Sequence, residues 1–179
     1  PQLDPSRGST EKKNKNQILN NTELEKRRKQ DIIASPLNGE VKNLSEVNDK
    51  VFSSGAMGKG IAIVPKKGIV YAPTNATISM VFETGHAIGL TTELGTEILI
   101  HVGLDTVELK GEGFEKLVQK GDEVLAGQPL IVFEMGELKQ KGYEIDVPIV
   151  VSNISENADI LITDKKRLEH GDYLFTIAK

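Results

Sequence analysis

The sequence predicts an all-β fold: an antiparallel β-sandwich or barrel-like domain with one or two short helical turns. Strand-sized runs rich in Ile, Val, Phe and Thr recur every 8 to 12 residues or so from Asp31 onward, a cadence typical of sandwiches and barrels. Gly, Pro and Asn bound these runs, and such residues set the backbone angles of turns. Amphipathic helical periodicity is nearly absent. In chain order the expected strands are IIASPLNGEV, GIAIVP, IVYAP, ATISMVF, TEILIHVGL, QPLIVFE, IDVPIVVSNI and DYLFTIAK. LKGEGFEKLVQKG and MGELKQKG are expected to supply the helical turns. SPLNGEVKNL, APTNATISMVF and QKGDEVLAGQPLIVFE share a pattern of small turn residue, valine and apolar strand, and read as hairpin corners. Their irregular spacing argues against a solenoid.

The chain has 179 residues, 38% hydrophobic and 27% charged, enough for one core with an added tail. Residues 1 to 30 hold few apolar side chains among many Lys, Arg, Glu and Asn. Such a stretch cannot bury enough surface to offset its ordering entropy, so it reads as a flexible charged linker or tail preceding a domain at 31 to 179. The net charge of −4 leaves no basic face for nucleic acid. No window is apolar enough for a membrane-spanning helix and no signal peptide is visible, so a soluble, cytoplasmic domain is expected. The absence of cysteine removes disulfides and thiolate chemistry, and any thiol acceptor must lie on another polypeptide.

The chemistry concentrates in two segments, Thr84-Gly85-His86-Ala87 and Gly95-Thr96-Glu97-Ile98-Leu99-Ile100-His101-Val102-Gly103. If residues 91 and 96 flank a four-residue turn, His86 and His101 fall directly opposite each other, with Cβ atoms about 5 Å apart on one face. A slip of one residue would put the rings on opposite faces. Buried imidazoles need partners for their ring nitrogens, and Thr84 and the backbone at Gly103 are available. A neutral imidazole with one nitrogen held by a hydrogen bond presents the other lone pair as a nucleophile or metal ligand. Asp105 would lie about 13 Å from His101 along a straight strand, out of reach unless the chain bends at Gly103. His170, in the turn LEHGDY, is expected to be unpaired surface.

Three chemistries could use a histidine pair. A zinc hydrolase needs three ligands and a base, and neither HExxH nor His-x-His occurs. A Ser-His-Asp hydrolase needs an elbow such as GxSxG, also missing. Phosphoryl carriage needs a neutral histidine, a neighbouring donor and a dry rim. No cofactor or metal is called for. A lipoyl or biotinyl carrier, which the QKGDEVLAGQPL cadence brings to mind, lacks a modifiable lysine in a Met-Lys-Met or Asp-Lys-Ala setting.

GTEILIHVGLDTVELKGEGF resembles the active-site signature of the glucose-type enzyme IIA domains of the bacterial phosphoenolpyruvate-dependent sugar phosphotransferase system, and ASPLNGEV, MGKGIAIVP, YAPTNATI, FETGHAIGL and IVVSN extend the match over residues 31 to 179. The resemblance implies a β-sandwich phosphocarrier that takes phosphate from the phosphocarrier protein HPr and passes it to a cysteine of an enzyme IIB domain during sugar uptake. His101 would be phosphorylated through Nε2 while the Gly103 carbonyl holds Nδ1–H, and His86 and Thr84 would orient the phosphoryl group. An apolar docking ring would comprise Val51, Phe52, Ala56, Met57, Phe82, Leu99 and Val107, with Asp49, Asp105 and Glu108 facing a basic partner. The resemblance also implies association with a membrane permease at the inner face of the cell membrane. Lys50 and Lys59 depart from the family pattern and bear on partner choice. The alternative reading is an IIA-like regulatory domain of a non-phosphotransferase sugar transporter, controlled by phosphorylation of the same histidine.

Overall fold

The computed structural model describes residues 30 to 178; the expected tail lies outside the described residues, apart from Gln30. All recorded strand pairs are antiparallel. The strands are β1 (Asp31–Ala34), β2 (Gly39–Asn43), β3 (Lys59–Pro65), β4 (Ile69–Tyr71), β5 (Ala76–Val81), β6 (Ala87–Thr92) and β7 (Glu97–His101). They continue with β8 (Phe114–Lys116), β9 (Glu123–Val124), β10 (Pro129–Phe133), β11 (Val147–Val151), β12 (Asp159–Ile162), β13 (Arg167–Leu168) and β14 (Tyr173–Ala178). Two short α-helices, α1 (Lys50–Ser53) and α2 (Met135–Gln140), and two 3-10 turns, Leu44–Glu46 and Thr106–Leu109, complete the described chain.

Eight strands form one large sheet in the order β13-β2-β3-β11-β7-β6-β5-β9, and two three-stranded sheets, β1-β14-β12 and β4-β10-β8, accompany it. Alternation along the central strands divides the apolar residues. Ile61 and Ile63 of β3, Ile88 and Leu90 of β6, Ile98 and Ile100 of β7, and Val147, Ile149 and Val151 of β11 join the main core with Val70, Leu130, Phe133 and Phe175 of the smaller sheets. The intervening residues Ala62, Ala87, Leu99 and Val150 face the other way and form a second, smaller core with Val47, Phe52 and Leu104. Each fully buried Ile or Leu contributes about 1.5–3 kcal/mol, so both faces hold the middle of the large sheet in place. β11 is buried along its whole length, which explains its uninterrupted apolar sequence VPIVV.

The three expected corners are corners between sheets and not hairpins. SPLNGEV leads from β1 in one small sheet to β2 in the large one, APTNATI from β4 to β5, and DEVLAGQPLIV from β9 to β10. The helix expected across LKGEGFEKLVQKG is instead β8 among turns. Gly111, Gly113 and Gly121 all adopt positive φ, a conformation that no α-helix contains. MGELKQ does form α2, and Gly142 at φ 88° follows it. Strands β8, β9, β12 and β13 and helix α1 were not expected. Most are short, and β12 lies in the polar-flanked NADILITD.

Candidate functional site

The hairpin of β6 and β7 pairs Thr91 with Glu97 and Ala87 with His101. The expected pairing of His86 with His101 is therefore off by one residue, because the loop runs from Thr92 to Thr96. Thr92 closes it: its N–H donates to the Thr96 carbonyl at 2.9 Å, its carbonyl accepts from Gly95 N–H at 2.9 Å, and its Oγ1 accepts from Thr96 N–H at 3.1 Å. In an unbroken ladder this slip would turn His86 away from His101. It does not, because β6 begins only at Ala87 and His86 follows Gly85, whose φ of 76° breaks the pleat. The two imidazoles meet edge to face with ring centroids 5.0 Å apart and planes 77° apart.

His101 ends β7 and is half-buried. Pairing of β7 with β11 runs only as far as Ile100 with Ile149, and the next residue of β11 is Pro148, which has no N–H to extend the ladder. Beyond His101 the chain bends sharply, with Gly103 at φ 78° and Asp105 at φ 59°. The bend brings the Gly103 carbonyl back to 2.7 Å from His101 Nδ1. A carbonyl can only accept, so Nδ1 carries the hydrogen and neutral His101 presents a bare Nε2. A side chain at Gly103 would fit poorly, since a Cβ would lie 2.5 Å from Thr106 Cγ2 and 3.1 Å from the Glu144 carbonyl oxygen.

His86 is 1% exposed. Its Nδ1 lies 2.6 Å from Thr84 Oγ1, and the Phe82 ring stands edge-on with its centroid 5.0 Å away. Burial lowers its pKa to about 4, helped by the neighbouring His101. Burial also lowers the pKa of His101, outweighing the opposing effects of the Gly103 carbonyl, Asp49 and Asp105. Both imidazoles are therefore neutral near pH 7. The bend at Gly103 satisfies the condition under which Asp105 could approach, and its carboxylate acts on His101 through its charge.

The expected docking residues lie at different depths. Val51 and Val107 are 51% and 54% exposed, Ala56 is exposed, and Met57 and Phe82 are half-buried. Phe52 and Leu99 are buried in the smaller core, so they support the surface from beneath and are not part of a solvent-facing ring. The Phe52 ring centroid lies 5.1 Å from that of His101. Asp49 caps α1 through Oδ1, which accepts from Val51 N–H at 2.9 Å, and Glu108 lies in the turn at Thr106–Leu109. Lys50 opens α1, whereas Lys59 reaches the Ala158 carbonyl at 3.4 Å. His170 is not unpaired as expected: its ring stacks on Tyr71 with centroids 3.8 Å apart. Sequence reasoning missed Val102 and Thr106. Val102 N–H donates to the His86 carbonyl at 2.6 Å, and the Thr106 hydroxyl donates to the Val102 carbonyl at 2.6 Å. The only sequence signal was a threonine following a bend at Gly103.

Residues 31–157 match the family model described as phosphoenolpyruvate-dependent sugar phosphotransferase system, EIIA 1. The chain belongs to this EIIA family. It is 48% identical over 126 residues, 70% of its length, to the PTS system beta-glucoside-specific EIIBCA component of Bacillus subtilis (strain 168), covering 21% of that protein. It is 45% identical over 147 residues, 82% of its length, to the PTS system glucoside-specific EIICBA component of Staphylococcus carnosus (strain TM300), again covering 21%. The chain thus spans about a fifth of the length of the curated relatives it matches. The solved structure of glucose permease IIA from Mycoplasma capricolum superposes with a TM-score of 0.78 at 35% identity, covering 82% of this chain and 95% of that one. As an EIIA domain the chain is a phosphotransferase-system phosphocarrier component, and no helix among its described residues is long and apolar enough to cross a membrane.

Proposed function

We propose that this EIIA domain carries a phosphoryl group on His101 Nε2, taking it from the phosphohistidine of HPr and delivering it to a cysteine thiolate of an enzyme IIB domain. The observation that carries the reading is the 2.7 Å contact between His101 Nδ1 and the Gly103 carbonyl, which leaves Nε2 with its lone pair. In the first half-reaction that lone pair attacks phosphorus as the donor's P–N bond breaks, and the bonding electrons return to the donor imidazole. In the second, the thiolate attacks phosphorus and the Nε2–P bond breaks, returning the lone pair to His101. The Gly103 carbonyl stabilises the positive charge that phosphorylation places on the imidazole ring. In the tautomer in which His86 Nδ1 accepts from the Thr84 hydroxyl, 2.6 Å away, Nε2–H is free to donate to a phosphoryl oxygen. Such donors act on charge that develops in transfer.

The exposed Val51 and Val107 and the carboxylates of Asp49, Asp105 and Glu108 would meet HPr, charge complementarity setting encounter rate and register. The relatives' names, EIIBCA and EIICBA components and a glucose permease IIA, support a place beside the IIB part of a permease, and the domain would then work at the inner face of the membrane. Phosphoenolpyruvate, enzyme I and HPr supply the test. The label should be acid-labile and alkali-stable and should map to the peptide containing His101. Full incorporation by a His101→Ala protein would refute the assignment.

A further inference from the structure

Thr106 is fully buried, and the relay chemistry above makes no use of its hydroxyl. That hydroxyl donates to the Val102 carbonyl at 2.6 Å, while the N–H of the same Val102 donates to the His86 carbonyl at 2.6 Å. Val102 sits between His101 and Gly103, the two residues joined by the Nδ1 contact. One residue thus ties the His86 segment to the bend, and Thr106 holds its other side. Asp105 at φ 59° turns the chain back so that a side chain at 106 can reach a carbonyl four residues earlier. The Thr106 methyl fills the space beside Gly103 Cα where an L residue would place its Cβ, at 2.5 Å. Turning the Val102 carbonyl to find another partner rotates the Val102–Gly103 peptide and so changes φ at Gly103, one of the torsions that aim the Gly103 carbonyl at His101.

We propose that Thr106 is a positioning residue: its buried hydroxyl fixes the Val102–Gly103 peptide so that the Gly103 carbonyl selects the Nδ1–H tautomer of His101. The inference deepens the phosphocarrier reading of His101 and rests on it. The test compares the full 179-residue chain with Thr106→Val, which keeps the shape and loses the hydroxyl, and Thr106→Ser, which keeps the hydroxyl. Ring nitrogen-15 shifts report the His101 tautomer without any partner protein, and initial phosphorylation by phospho-HPr reports the rate. The valine protein should lose Nδ1–H tautomer and transfer about twofold to tenfold more slowly, the range expected for one net hydrogen bond. The serine protein should restore both. A folded valine protein with the wild-type tautomer and rate overturns the inference, and so does one that is merely less stable with its tautomer unchanged. If the valine protein does not fold, the serine protein decides: a shifted tautomer there overturns the proposal, and an unshifted one supports it. Failure of wild type to take phosphate on His101 would instead refute the carrier reading, leaving the tautomer comparison to judge Thr106.

Discussion

Acidification should destabilise the domain through His86. The ring is 1% exposed and its pKa falls from the ordinary 6.5 to about 4 in the folded protein. Between those values the unfolded chain binds the proton and the folded one does not, so protonation favours unfolding. This contribution to stability is fully present above pH 6.5, declines as pH falls, and is exhausted below about pH 4. The whole span corresponds to about 3 kcal/mol, and linkage puts the loss at pH 5 at about 2 kcal/mol. His101 shifts in the same direction, so wild type alone would not isolate His86. Urea unfolding of wild type and His86→Gln at pH 7.5, 6 and 5 does so, because glutamine does not titrate over this range. Wild type should lose about 2 kcal/mol more than the variant between pH 7.5 and pH 5. Parallel stability profiles would show that buried His86 takes its proton as readily as an exposed histidine, and the account of its neutral state would be wrong.

Three further outcomes are expected. Gly103→Ala must place an L residue at φ 78° with its Cβ against Thr106, so it should lower stability by at least about 1–2 kcal/mol and slow phosphorylation of His101, measured by thermal melts and label incorporation. Val107→Lys, at a site 54% exposed, should leave stability within about 0.5 kcal/mol yet reduce phosphorylation at limiting HPr by more than tenfold, since a buried unpaired charge costs a few kcal/mol; unchanged kinetics would place the docking face elsewhere. His86→Gln should accept phosphate from HPr and pass it to the IIB cysteine about tenfold to a thousandfold more slowly, which single-turnover assays of the two half-reactions can separate.

The strands that line the main core were legible because Ile and Val runs bounded by Gly, Pro and Asn have few other uses. The histidine register was not, since a hairpin loop extended to Thr96 differs from the expected turn by side-chain and backbone hydrogen bonds to Thr92 that composition does not encode. The histidines still meet because Gly85 breaks the alternation on which the expectation relied. A pairing argument for a residue next to a left-handed glycine therefore fixes proximity less firmly than it fixes strand order. The LKGEGF segment departs from its expected helix for the same reason: its charged and apolar spacing suits a helix, and its positive-φ glycines forbid one. Phe52 and Leu99 enter the expected docking ring through the family resemblance, which carries no information on depth. The large sheet has a small core on its outer face as well, and these two residues belong to it. His170 found a partner in Tyr71, a contact brought about by tertiary packing between distant segments.

The small core beneath the histidines bears on how a relay can both accept and release. In the proposed transfer the groups around the phosphoryl are two imidazoles with lowered pKa values, a hydroxyl and a backbone carbonyl. No ion pair among the described residues involves either histidine. A bidentate arginine would hold the phosphoryl group more strongly and would thereby lower the driving force for passing it on. Neutral donors give weaker attraction, and their usefulness depends on being correctly aimed before the partner arrives. Rigidity therefore has to come from packing: Phe52 against His101, Phe82 against His86, Leu99 and Ala87 beneath, and the Val102 peptide tied to both histidine segments. The acidic side chains sit further out, where they can attract a basic partner and favour imidazolium formation at His101 without contacting the transferring group. In the proposed relay, weak local binding would be compatible with fast transfer because the site is organised by the sheet, and not by the ligand.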